Sequence, residues 1–364
     1  MSRIVIDARE LRTSTGRYVE RLLHYLQQID DEHQYRVLLR PQDVVGWQPT
    51  NPRFTPVACR YKEFTFGEQL GLARQLRRLR ADLVHFGMTQ QPVIYRQKKV
   101  TTMHDLTTLR FNNPSKAWLV FKFKQLVYRW VVKRAARQSD AVICGSQFVK
   151  ADVAQFTGIN PDKITVTYEA AEPITAEPEP VISLAGHKFL LYVGRPTPHK
   201  NLERLIEAFV LLKARHPDLV LVLAGQKDAN YRLIEAEVRR RTIKKVDFIG
   251  FVSEGQLRWL YEHCEAYVFP SLSEGFGLPG LEAMVHGAPV VSSNATCLPE
   301  IYGQAAHYFD PSDVQAMADA ISEVLTDKEL RADLIRRGHE QAQKYSWQRM
   351  AEQTLAVYNR ALGS

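Results

Sequence analysis

Glu274 and Glu282 flank the stretch 275–278, which reads Gly-Phe-Gly-Leu and runs into Pro279. Glycine lets backbone approach a ligand closely. Proline suits the opening of a helix, where its missing N–H is no loss. Residues 266–269 read as a buried strand, 271–277 as a loop, and the residues after Pro279 as a helix through Leu281, Ala283, Met284 and Val285 to a Gly287 cap. The N-terminus of such a helix, opening at the carboxyl end of a strand, attracts anions through its free N–H groups and its dipole. The two acids suit a different group, since a carboxylate accepts hydrogen bonds from neighbouring hydroxyls, as on a sugar. Each acid also has a plainer explanation. Glu274 fits a surface loop, and Glu282 fits a first-turn acid that stabilises its helix by about 0.3–1 kcal/mol.

Other candidates stand at strand ends. Arg195 and Lys200 follow the apolar run 189–193 and could neutralise a phosphate, or simply be solvated. His104 ends the run 100–103, and Gly16 precedes a helical pattern over 17–26. A satisfied strand-end histidine is the plain reading of the former. The four cysteines, Cys59, Cys144, Cys264 and Cys297, form no CxxC or Cys/His cluster. That argues against zinc and against a disulfide framework, and suits a reducing cytosol. No DxD metal motif occurs.

The elements that must position these residues alternate. Strands are expected at 4–6, 35–39, 83–86, 100–103 and 141–144, then at 189–193, 219–224, 247–249, 266–269 and 289–292. Helical patterns between them, such as 18–26, 202–215 and 231–241, predict parallel α/β sheets wound on both faces. The acidic, Pro-rich stretch 172–186 reads as a linker between an N-terminal domain, 1–172, and a C-terminal domain, 187–344. An amphipathic helix over 345–362 closes the chain. With 364 residues there is core enough for two such domains. Charge is uneven: 1–172 carries +11 and the remainder −3, within a total of +8. The basic half suits an anionic partner, whether nucleic acid, membrane surface or phosphorylated lipid. Residues 116–137 are both basic and aromatic, and fit either an interfacial helix or a domain helix with a solvated basic face. No apolar run is long enough to span a membrane, and the N-terminus lacks signal-peptide shape.

The segment 266–303, with its E-x7-E arrangement, closely resembles the donor-site signature of the retaining family 4 glycosyltransferases of GT-B fold. So do Leu-Leu-Tyr-Val-Gly-Arg at 190–195 with Lys200, Ala-Gly-Gln-Lys-Asp at 224–228, the turn at 248–257 and the terminal helix 346–362. The match covers the C-terminal half and, more weakly, the N-terminal half, where it most resembles mannosyltransferase-type members that build bacterial surface polysaccharide. The resemblance implies two Rossmann-like domains facing a central cleft, with the last helix crossing back to the first domain. It implies a nucleoside-diphosphate sugar as donor, GDP-mannose first and a UDP-hexose second, with no cofactor and no metal. The implied acceptor is a glycan or a polyprenyl- or lipid-linked molecule. The implied place is the cytoplasm, at the inner face of the plasma membrane.

By the same resemblance Glu274 contacts the transferred sugar and Glu282 the ribose. The backbone of Gly275, Phe276, Gly277 and Leu278 meets the diphosphate, with Arg195 and Lys200 neutralising it. Phe251 and Val252 lie in the base-binding turn, and His104 faces the sugar. Gly16 belongs to a loop that in the family carries more glycine, so Ser14 or Thr15 stands where a backbone contact is lost. Three other functions are weighed: a nucleotide-sugar 2-epimerase, which lacks this E-x7-E pattern; an inactive sugar-binding subunit, which would have lost Glu274, Arg195 or Lys200; and nucleic-acid binding, for which no recognisable module exists.

Overall fold

The computed structural model describes residues 1–13, 16–63, 65–111 and 118–363, without the side chains of 118–123. They fall into two compact units. The first holds the described residues of Met1–Arg110, Ser115–Glu169 and Ser346–Ser364; the second holds Phe111 and Ala170–Tyr345.

The first unit is built on seven strands: β1 (Arg3–Asp7), β2 (Gln34–Leu39), β3 (Phe54–Ala58), β4 (Leu83–Phe86), β5 (Lys99–Thr102), β6 (Ala141–Cys144) and β7 (Ile164–Val166). All pair in parallel, in the order β3-β2-β1-β4-β5-β6-β7. The second has six parallel strands: β8 (Phe189–Val193), β9 (Val220–Ala224), β10 (Val246–Gly250), β11 (Ala266–Phe269), β12 (Val290–Ser293) and β13 (Ala306–Phe309), in the order β10-β9-β8-β11-β12-β13. Parallel strands covered on both faces by helices read as continuous apolar runs; β9, Val-Leu-Val-Leu-Ala, is buried along its whole length. Strand order reverses between β1 and β4 and again between β8 and β11. Ligands of open α/β sheets bind outside the carboxyl ends of the strands at such points.

Three strands went unread in the sequence: β3, β7 and β13. All are sheet edges. Edge strands are short and less apolar, and β3 contains Pro56, which a central strand would not tolerate. The stretch 172–186, read as a linker, is fastened to the second unit. Ile174 N–H donates to His286 Nε2 at 3.0 Å, Arg258 donates to the Ala176 carbonyl at 3.1 Å, and Ser253 donates to Glu179 at 2.8 Å. The chain thus joins the second unit from Ala170 onward.

The last helix, Trp347–Leu362, is a member of the first unit and packs beside the helix Gly16–Ile29. Its Tyr358 hydroxyl meets Nδ1 of His85 on β4 at 2.5 Å, and His85 Nε2 meets Thr102 Oγ1 on β5 at 2.8 Å. Among the described residues, no helix is long and apolar enough to cross a membrane.

Candidate functional site

In the second unit, β11 delivers the chain into a loop that ends at Gly277, the N-cap of the helix Leu278–Val285. Gly277 has φ of 93°, and a Cβ there would lie 2.6 Å from both Leu298 Cδ2 and the Tyr302 hydroxyl. Both backbone conformation and space therefore require glycine. The Tyr302 hydroxyl donates to the Gly277 carbonyl at 2.5 Å and fixes the turn. At its other end the helix closes as expected on Gly287, with φ of 76°: Gly287 N–H donates to Met284 O at 3.1 Å and Ala288 N–H to Ala283 O at 3.0 Å. This pair of bonds is a Schellman cap.

Glu274 and Lys200 meet directly. Lys200 Nζ donates to Glu274 Oε1 at 2.6 Å, with side-chain exposures of only 18% and 12%. Partial burial strengthens such a pair relative to one in open water. The Glu274 backbone is held from both ends: its N–H donates to Thr296 Oγ1 at 3.1 Å, and Cys297 Sγ donates to its carbonyl at 3.3 Å. Lys200 is placed by a short helical turn, Pro198–Lys200, closed by Asn201 in the left-handed region at φ of 60°. The Asn201 amide donates to the carbonyls of Pro270 and Pro311, at 3.1 and 2.8 Å. Asn201, Thr296 and Tyr302 are positioning residues that the sequence reading missed. Their partners lie far off in the chain, and no local pattern marks them.

Glu282 is buried, in reach of the Tyr261 hydroxyl at 3.4 Å. Gly275 and Phe276 are buried, and the Phe276 ring meets Tyr345 edge-on at 5.7 Å. Leu278 is half-buried at the helix start. Arg195 pairs with Asp228 at 3.3 Å rather than with Glu274, and its side chain is 54% exposed. An exposed pair of this kind holds a side chain weakly, leaving the guanidinium free to move toward an anion. Gly194 and Gly225 touch so closely that a Cβ on Gly225 would lie 2.1 Å from the Gly194 carbonyl. Phe251 is 86% exposed and Val252 half-buried, just before a helix capped by Ser253.

In the first unit, His104 follows β5 at its carboxyl end. Nε2 faces the Gly87 carbonyl at 3.0 Å, Nδ1 faces Glu169 Oε1 at 3.5 Å, and the Tyr18 ring stands edge-on at 4.9 Å. Nearby acids and the Gly87 carbonyl outweigh burial and raise the His104 pKa. Gly16 opens the helix Gly16–Ile29, and a Cβ there would sit 2.2 Å from the Leu11 carbonyl. Ser14 and Thr15 lie outside the described residues. The four cysteines are buried and unbridged. Among the described residues, no group of three or more His, Cys, Asp or Glu could hold a metal ion.

Comparison with known proteins bears on the family and the fold. The family model described as Glycosyltransferase Family 4 matches residues 15–173, and that described as Glycosyl transferases group 1 matches 176–341. O-antigen chain mannosyltransferase B of Escherichia coli is 33% identical over 281 residues, covering 72% of this chain and 70% of that protein. Sucrose-phosphate synthase from Thermosynechococcus elongatus superposes with a TM-score of 0.81 at 20% identity, over 100% of both chains. Anabaena HepE, solved in complex with UDP-glucose, superposes with a TM-score of 0.75 at 18% identity, over 99% of this chain and 100% of that one. With its two parallel-sheet units and its glycine-capped helix beside the Glu274–Lys200 pair, the chain belongs to the family 4 glycosyltransferases and is a glycosyltransferase of GT-B fold.

Proposed function

We propose that this enzyme transfers mannose from GDP-mannose, with retention and without a metal, to a glycan or lipid-linked acceptor in surface polysaccharide synthesis. The contact between Lys200 and Glu274 beside the N-terminus of the helix Leu278–Val285 carries the reading. It sets a cation for the diphosphate next to a carboxylate for sugar hydroxyls. The 33% identity to an O-antigen mannosyltransferase supports mannose as the sugar.

In this reading the backbone N–H groups of 275–278 and the helix dipole receive the diphosphate. Lys200 stabilises the charge that grows as the C1–O bond breaks, and Arg195 swings from Asp228 to help. Glu274 binds sugar hydroxyls, and Glu282 the ribose. Exposed Phe251 and half-buried Val252 offer a surface to the base, and Gly16 is a proposed donor contact. His104 faces the transferred sugar. The acceptor oxygen forms its bond to C1 on the face the phosphate leaves, and its proton passes to a phosphate oxygen. Neither carboxylate is asked to act as the base.

The test is transfer of labelled sugar from GDP-mannose set against UDP-glucose, UDP-galactose and ADP-glucose. Turnover restricted to GDP-mannose supports the reading, and turnover with a UDP-hexose alone overturns the choice of donor.

A membrane surface is part of the same proposal. Leu126, Val127 and Trp130 are exposed on the basic helix Trp118–Gln138, with the Arg134 guanidinium over the Trp130 ring. Phe66, Leu70 and Ile94 are exposed as well, and Gln69, next to Leu70, accepts from the N–H of Val93, next to Ile94. Apolar side chains among arginines and lysines suit an anionic bilayer. Trp118, Phe121 and Phe123 lie with Lys116 and Lys122 outside the described side chains.

A further inference from the structure

His104 is gripped from two sides by groups that can only accept. The Gly87 carbonyl stands 3.0 Å from Nε2, and the Glu169 carboxylate 3.5 Å from Nδ1. A neutral imidazole has one N–H, so it can satisfy only one of them; the doubly protonated ring satisfies both. We propose that Glu169 is a positioning residue, which holds the His104 ring in a fixed orientation with Nδ1 protonated, so that a cationic imidazole stands at the carboxyl end of β5. This rests on the reading of His104 as a residue that faces the transferred sugar.

The groups around the ring agree. Asp105 adds negative charge from the adjacent position, as does Glu169 from the chain after β7. Tyr18, from the helix Gly16–Ile29, presents its ring at 82° to the imidazole, and its hydroxyl is tied to Thr102 Oγ1 at 3.0 Å rather than to His104. His85, from β4, is wholly buried, and burial holds it neutral at neutral pH, so it adds no opposing charge there. Tyr18, the Gly87 carbonyl and Glu169 thus fix where the ring lies, and the acids favour its charge. The side chains of His104 and Glu169 keep exposures of 20% and 13%, so a solute can still reach them. At 3.5 Å the carboxylate orients Nδ1–H through its charge while leaving room for a second acceptor to share it. A sugar hydroxyl or phosphate oxygen arriving there would receive a charge-assisted hydrogen bond, stronger than one from a neutral ring.

Glu169 is the last residue of the first unit before the chain enters the second. In the sequence it is one acid among several near the acidic stretch 172–186, and nothing local connects it with His104, 65 positions earlier.

The experiment compares full-length wild type with Glu169→Gln, Glu169→Asp and His104→Asn. Imidazole NMR titration reads the protonation midpoint of His104, and His104→Asn identifies its signals. The pH profile of kcat/KM with GDP-mannose is recorded on the same samples. Removing the carboxylate's charge lowers the midpoint by about one pH unit. The high-pH limb of the profile moves down with it, and Glu169→Asp restores both in part. An unchanged midpoint in Glu169→Gln overturns the inference, whatever the activity. A lowered midpoint with an unmoved profile sustains the pairing of Glu169 with His104 and overturns the placement of His104 at the sugar.

Discussion

Lys200 and Glu274 lie 74 positions apart, yet they hold each other at 2.6 Å. Each side chain therefore orients the other, and the effects of removing them should not add. Lys200→Ala and Glu274→Ala are each expected to lower turnover by about 100-fold, the scale seen when one preorganised charge or donor is lost from a transition-state site. The double variant should fall well short of the product of the two losses. Steady-state rates of all three, with melting temperatures to confirm folding, check this. Much of this site was legible as residue types in sequence, because glycine, proline and acid at a strand-to-helix turn each carry local physical meaning. The holding partners were not legible. Thr296, Asn201, Tyr302 and Glu169 act through contacts set by the fold, and spacing along the chain says nothing of them. Arg195 was legible as a cation, but its pairing with Asp228 was not.

At the scale of elements, the central strands were readable because burial on both faces makes them continuously apolar, whereas the edge strands β3, β7 and β13 gave no such signal. The helix Leu278–Val285 depends on its tight entry. Gly280→Ala would place a Cβ 2.2 Å from the Tyr302 hydroxyl, which itself fixes Gly277. It should displace the turn and lower turnover, and adding Tyr302→Phe should not recover the loss, because the ring carbon Cζ would still lie 2.3 Å from that Cβ. The final helix depends on His85. Burial without an acidic partner lowers the His85 pKa to about 3. The folded state then keeps the ring neutral, while the unfolded chain takes up a proton as pH falls below about 6.5. Stability from the neutral ring is therefore present above that value and lost between about 6.5 and 3, by roughly 1.4 kcal/mol for each pH unit. Denaturant unfolding at pH 7 and pH 5 should show wild type losing about 2 kcal/mol more than His85→Gln over that interval.

Across the whole molecule, net positive charge gathers in the N-terminal half, together with the exposed Leu126, Val127 and Trp130, while the Glu274–Lys200 pair lies in the second unit. The N-terminal excess of positive charge was plain from composition. Which aromatic side chains face outward was not, since a helical stripe does not reveal which side is covered. Trp130 is half exposed, and Trp130→Glu should weaken co-sedimentation with phosphatidylglycerol vesicles while leaving GDP binding unchanged. Equal sedimentation of variant and wild type would contradict a membrane role for this face. The division of the chain was also only partly legible. Proline and acidic residues at 172–186 suggested a linker, and local pattern did not show that the segment is fastened along β10's following turn and helix by Arg258, Ser253 and Gly255.

The central claim is that the second unit holds a nucleoside diphosphate at the glycine-capped helix beside Lys200. Calorimetric titration of GDP into wild type and Lys200→Ala tests it most directly. The account predicts saturable binding to wild type that weakens at least about tenfold, or about 1.4 kcal/mol, in the variant. Equal affinity in the two proteins would contradict it.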